Sequence, residues 1–281
     1  MNISKSDFRR CAELISSATG LLVTAGAGMG VDSGLPDFRG NEGLWNHYPA
    51  LGKQGMSFSD IANPATFYEN PKLAWGFYGH RFNLYREAIP HQGFEVLREI
   101  GGNMPSGMFV FTSNVDGQFQ KAGFDPYKVC EVHGSINFLQ CMGNCIDDIW
   151  RADAFKPRTD DENCQLLSDM PRCAGCGGIA RPNILMFNDW NWNDQRMARQ
   201  RQGLEDWLKK VERLLVIELG AGSAIPSARM MGARTKSPII RINPREFAVS
   251  QPGSVGLAMP ALEGMLGIRQ ALLELRPLIS G

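Results

Sequence analysis

The chain has no excess of either charge: its 29 Lys and Arg are matched by 29 Asp and Glu. This excludes bulk electrostatic attraction to nucleic acid or to an anionic lipid surface, so any basic patch for a partner has to be local. Long hydrophobic runs are missing too. None approaches the ~20 residues that span a bilayer, and residues 1–10 lack the apolar core of a secretory signal. A cytoplasmic protein that neither enters membranes nor binds nucleic acid directly is therefore expected. With no internal repeat or low-complexity linker, 281 residues at 43% hydrophobic and 21% charged are expected to build one large domain with insertions. A disulfide framework is disfavoured as well. The cysteines number seven, an odd count, and four of them fall in two tight pairs, which in a reducing compartment points to metal.

What the sequence does have is concentrated in residues 21–40. A short apolar strand, Leu21-Leu22-Val23-Thr24-Ala25, runs into glycines at 26, 28, 30 and 34. Such a turn allows positive φ angles and brings bare N–H groups to the strand end, which suits a pyrophosphate. An ordinary dehydrogenase fingerprint asks for a third glycine at the sixth position, where this chain has Val31. Pro36-Asp37-Phe38-Arg39-Gly40 then places a carboxylate, an aromatic ring and a guanidinium directly after the phosphate loop. The whole stretch resembles the signature of the sirtuins, the NAD-dependent protein deacylases. Gly30 stands where that family usually has Ser.

The rest of the chain follows the family order. Phe8, Cys11, Ala12, Ile15 and Ala18 lie at helical spacing, which predicts an amphipathic helix over 5–19, stopped by Gly20 and covering the first strand. Residues 45–100 contain helical runs at 64–68, 73–88 and 93–100 and no convincing strand. Buried-strand patterns occur at 108–112, 128–132, 214–219 and 238–243, with helices expected over 116–122, 194–212 and 260–275. The reading is an α/β fold: a doubly wound, Rossmann-like parallel sheet formed by 1–43, 102–136 and 184–281. A smaller domain joins a helical insertion (44–101) to a metal-binding module (137–183).

Chemistry-bearing residues fall at strand carboxyl ends, where open α/β sheets keep their ligands. The second strand delivers Ser113-Asn114-Val115-Asp116-Gly117. Taken alone, Asn114 and Asp116 also suit capping of the next helix; the resemblance implies contacts to the nicotinamide ribose and its pocket, with Ser113 in place of a Gln. His133-Gly134 closes the third strand, and an imidazole suits a base at neutral pH. The resemblance makes His133 the catalytic base. It also implies that Gly26, Ala27 and Gly28 bind phosphates, that Asp37, Phe38 and Arg39 shape and shield the pocket, and that Gly220, Ala221, Gly222, Ser223 and Asn243 hold the adenosine side of NAD. Phe187-Asn188-Asp189 replaces the family's Phe-Gly-Glu loop, which pairs with substrate by strand addition, and nearby Trp190 and Trp192 are expected to pack on the insertion.

Cys141, Cys145, Cys173 and Cys176 read as a closed, tetrahedral, structural zinc site. Cys11, Cys130 and Cys164 read as ordinary thiols. Tyr78 and Arg81, three apart on a helix, share a face and suit a carboxylate. They match the Tyr-x-x-Arg of sirtuins that prefer succinyl-lysine and malonyl-lysine, although a Tyr packed in the insertion beside an Arg in solvent would give the same spacing.

By resemblance, the acyl-lysine oxygen attacks C1′ of the nicotinamide ribose and expels nicotinamide. His133 then deprotonates a ribose hydroxyl, giving free lysine and O-acyl-ADP-ribose, with Asn114, Asp116 and Arg39 assisting. Competing readings are a sirtuin-like ADP-ribosyltransferase or NAD hydrolase using the same pocket, a hydride-transfer dehydrogenase, and a non-enzymatic NAD or ADP-ribose sensor.

Overall fold

The computed structural model describes residues 5–36 and 40–279. The chain opens with α1 (Lys5–Ser17), which buries Cys11, Ala12 and Ile15, and enters the fully buried β1 (Gly20–Ala25). Gly20 is thus the first strand residue, where a Cβ would sit 2.7 Å from Val211. After the single-turn α2 (Gly28–Val31), five helices follow: α3 (Gly40–His47), α4 (Pro49–Lys53), α5 (Phe58–Ile61), α6 (Pro64–Glu69) and α7 (Pro71–Glu87). Their starts are written in the local sequence. Proline opens α4, α6 and α7, Ser57 and Asp60 form a capping box on α5, and the Asn63 and Asn70 side chains accept from Ala65 N and Leu73 N.

Next come α8 (Gln92–Gly102), β2 (Met108–Thr112), α9 (Gln118–Lys121), β3 (Val129–Glu131), β4 (Gly134–Cys141), β5 (Ile149–Arg151), β6 (Thr159–Asp160), β7 (Gln165–Leu166) and β8 (Ala180–Ile184). The chain closes with α10 (Gln195–Leu208), β9 (Leu214–Leu219), α11 (Ser227–Arg234), β10 (Ile239–Ile242), β11 (Val255–Leu257) and α12 (Ala261–Ile279). The helix expected over 116–122 is shorter because Gly117 takes φ 74°, outside helical space, and Gly123 closes it at φ 84°.

Six parallel strands form the main sheet in the order β3-β2-β1-β9-β10-β11. That is the doubly wound order, with its switch point between β1 and β9. Alternation along the strands decides the two faces. Leu21, Val23, Val110, Ile217 and Ile240 pack with Ile15, Phe94, Leu97, Met265 and Ile268 of α1, α8 and α12. Leu22, Phe109, Phe111, Val216 and Ile239 face the other way, onto Leu204 of α10. The α8 segment, expected inside the helical insertion, thus packs on the sheet, and Arg269 of α12 pairs with its Glu99 at 2.9 Å.

The smaller lobe has its own core of Tyr48, Ile61, Phe67, Trp75, Phe77, Tyr78 and Phe82 with Ile136, Leu139 and Ile184. The last three come from a three-stranded antiparallel sheet, β5-β4-β8. One strand, β4, therefore begins beside the large sheet and ends in the metal-binding module.

Candidate active site

Strand polarity collects the loops after β1, β2, β3, β9 and β10 at one end of the sheet. At the switch point the two glycine loops are locked together. Gly26 N–H donates to Leu219 O and Gly28 N–H to Gly220 O, each at 3.0 Å. A Cβ on Gly26 would lie 2.8 Å from Ala221 Cα, and one on Gly220, whose φ is +57°, would lie 2.3 Å from Gly28 carbon and Met29 nitrogen. Both glycines are needed for backbone-to-backbone approach. Asn243 Nδ2 donates to Ala221 O at 3.0 Å, and its Oδ1 accepts from Arg245 N and Glu246 N. It holds the second loop in place, while Ser223 is exposed on that loop.

Ser113 and Asn114 are tied to the first loop. Ser113 N donates to Ala25 O at 3.0 Å, Asn114 Nδ2 donates to Gly26 O at 3.1 Å, and Asn114 N donates to Thr112 Oγ1. Asp116, one residue before the α9 N-cap Gly117, accepts from Gln118 N through Oδ1 at 2.8 Å. Burial pushes its carboxyl up to about 6; the Gln118 N–H opposes this and the Glu131 charge adds to it, with Arg81 lowering it. Two residues past Glu131, His133 is half-buried, with Nε2 3.2 Å from Ser227 Oγ at the start of α11. Burial lowers its pKa below the ordinary imidazole value, against a bond to the Ser113 backbone. The backbone is fixed as well: Leu185 N donates to His133 O, and Gly134 sits at φ +78° where a Cβ would strike Asn183 O. Asp37, Phe38 and Arg39 lie outside the described residues.

In the smaller lobe Tyr78 and Arg81 are both buried, Arg81 at 8% exposure, so this arginine does not stand in solvent. Its Nε and Nη2 both donate to Tyr85 Oη, at 2.9 and 2.5 Å, and its guanidinium lies 5.1 Å from the Phe77 ring and 5.8 Å from Phe58. The ring of Phe58 in turn meets Phe187 edge-on at 6.0 Å. Tyr85 was not expected from the sequence, although its i+4 spacing from Arg81 was a signal. Gln118 Nε2 bonds Tyr85 O, which ties this helix to the Asp116 loop.

The loop after β8 is tied down by several hydrogen bonds. Asn188 takes φ 54°, a left-handed conformation that asparagine tolerates where the family has glycine. Asp189 forms a fully buried bidentate pair with Arg181 at 2.7 and 2.8 Å and also accepts from Asn191 N. Asn191 O accepts from Gln140 and Asn144. Held between these anchors, Trp190 is 95% exposed, which corrects the expectation that it packs on the insertion. Phe187, 40% exposed, stands at the mouth of the aromatic cluster.

The four predicted thiols converge. Cys141–Cys145, Cys141–Cys176 and Cys145–Cys173 sulfur separations are 3.4, 3.7 and 3.5 Å, and all four atoms lie within 4.8 Å of one another. Four Zn–S bonds of ~2.3 Å in a tetrahedron require sulfurs ~3.8 Å apart, so the donor set fits zinc. Cys164 is buried elsewhere, with its sulfur 3.9 Å from Leu73 O.

The Sir2 family model matches residues 26–218. An NAD-dependent protein deacylase of Leptospira interrogans serogroup Icterohaemorrhagiae serovar Lai (strain 56601) is 30% identical over 245 residues, 85% of this chain and 89% of that protein. The NAD-dependent protein deacylase of Aquifex aeolicus (strain VF5) is 26% identical over 256 residues, 90% of this chain and 95% of that protein. A crystal structure of a Sir2 homolog–NAD complex superposes with a TM-score of 0.69 at 22% identity, covering 98% of this chain and 96% of the other, a likeness of fold.

Proposed function

This chain belongs to the Sir2 family, and on that premise we propose that it is a cytoplasmic NAD-dependent protein-lysine deacylase with a preference for acidic acyl groups. The observation that carries the reading is convergence. His133, Asn114, Asp116 and the paired glycine loops arrive from separate strands at the switch-point crevice, where a doubly wound fold binds a dinucleotide. NAD, consumed as a substrate, supplies the ADP-ribosyl group that accepts the acyl chain. Gly26, Ala27 and Gly28 cradle its phosphates; Gly220, Ala221, Gly222, Ser223 and Asn243 shape its adenosine side. Ser113, Asn114 and Asp116 order the ribose end. His133, kept neutral by burial, takes the proton of a ribose hydroxyl. Phe187 and Asn188 receive the peptide.

The acyl preference rests on Arg81. Its guanidinium is held by Tyr85 inside the aromatic cluster that Phe58 connects to Phe187, the side from which an acyl-lysine would enter, with Tyr78 beside it. A desolvated Arg–carboxylate contact is worth about 1.5–3 kcal/mol, or about 10- to 150-fold. Succinyl peptide is expected to exceed acetyl peptide by that factor in kcat/KM, and Arg81→Met to erase the preference while acetyl turnover persists. Acetyl peptide winning in the wild type would overturn the acyl assignment alone. Nicotinamide release that needs no acyl peptide would instead select NAD hydrolysis or ADP-ribosyl transfer and overturn the deacylase reading.

A further inference from the structure

The backbone of His133 is immobilised at the junction of β4 and β8, but its ring retains rotation about two side-chain bonds. Two contacts limit that rotation: the bond to the Ser113 backbone, and that of Nε2, which lies 3.2 Å from Ser227 Oγ. Ser227 is the first residue of α11, and α11 is itself anchored. Ala228 is buried, and Arg229 donates to Ala221 O and Glu246 O at 3.0 and 2.7 Å and pairs with the Glu246 carboxylate at 3.1 Å. The hydroxyl therefore comes from a fixed platform that also clamps the loop 220–226. A serine hydroxyl is both donor and acceptor, so it can hold the ring before and after proton transfer without changing charge.

We propose that Ser227 is a positioning residue for His133, aiming Nε2 at the ribose hydroxyl. The proposal rests on the reading of His133 as the base. In the resting state the Ser227 O–H donates to the bare Nε2 lone pair. When the ribose hydroxyl arrives it displaces the serine O–H from that lone pair; its proton passes to Nε2, and its oxygen bonds the acyl carbon as that carbon's C=N π pair moves onto the lysine nitrogen. The serine hydroxyl then turns to accept from the imidazolium N–H, and its own O–H bond is never broken. Orientation of a reacting group to within about 1 Å is worth up to ~10²-fold, and here the orientation is supplied from 94 residues away in the chain.

The test separates the two halves of the reaction. Exchange of labelled nicotinamide into NAD needs acyl peptide but not the base; formation of O-acyl-ADP-ribose needs both. Ser227→Ala is expected to lower the kcat for product by ~10-fold or more while exchange stays within about twofold and the melting temperature holds. Ser227→Thr, which keeps the hydroxyl, restores product formation. Equal losses in both halves, an unchanged product rate, or no rescue by Thr would overturn the proposal. An enzyme with no peptide-dependent exchange at all would sink the deacylase reading instead. The ¹⁵N resonances of the His133 ring decide the positioning claim in that case: they should move in Ser227→Ala and return in Ser227→Thr, and shifts identical to wild type in Ser227→Ala would overturn it.

Discussion

At the scale of single residues, the site combines two groups that burial pushes in opposite directions on the pH axis. His133 is held below the ordinary imidazole range and Asp116 above the ordinary carboxyl range, at about 6. The roles proposed for them need a neutral His133 and an ionised Asp116, both of which acid removes, so the activity should fall on the acid side only. For stability the sign is different. Asp116 has a folded pKa raised from 3.8 to about 6, so its contribution is complete below pH ~4 and is lost as pH rises through 6. Ionised at pH 8, it costs the fold roughly 1–2 kcal/mol after allowance for its partial exposure. Asp116→Asn keeps the oxygen that accepts from Gln118 N. It is expected to melt a few degrees higher than wild type at pH 8, to match it at pH 4, and to lose most turnover; a lower melting point at pH 8 would contradict this account. The placement of His133, Asn114 and Asp116 beyond strand carboxyl ends was legible because each follows an apolar strand run. Ser227 and the Arg181–Asp189 pair were not, since nothing local marks a contact that only tertiary folding creates.

At the scale of elements, the loop after β8 shows how asparagine can take a left-handed turn that favours glycine. Asn188 supplies the left-handed turn that glycine would, and Asp189 is locked onto Arg181 with both side chains fully buried. Removing one partner leaves an uncompensated buried charge, worth about 3–5 kcal/mol. Asp189→Ala should therefore destabilise the protein by that amount in chemical denaturation and raise KM for peptide through the freed loop; a cost below 1 kcal/mol would show that the pair is not buried in solution. The long apolar runs β1, β2, β9 and β10 were readable from the sequence. The three-residue β11 was not, because Gly256 sits under Phe247 O and gives no side-chain pattern. The strand β4 was missed for another reason: Gly134–Cys141 is buried at both ends and half-buried in the middle, so it lacks a clean period of two.

At the scale of the whole molecule, two cores meet through β4 and β8, and the metal site closes the far end of that pair. One zinc per chain is expected in freshly purified protein. Cys173→Ser should lose it, together with activity, while the six-stranded sheet, whose core is separate, keeps much of its helical and strand signal. Retention of full activity without metal would refute this. The bar between the two sites is short: β4 follows His133 directly and its last residue is Cys141, paired with Ala180 as Gly134 is with Ile184. Eight residues at ~3.3 Å each separate His133 from the metal thiols. A thiol oxidant that pairs these cysteines as disulfides and so strips the zinc would accordingly unzip the ladder from its outer end and displace His133 without ever entering the crevice. Such inhibition would deepen with time, would be relieved by neither NAD nor peptide, and would reverse on adding reductant and metal.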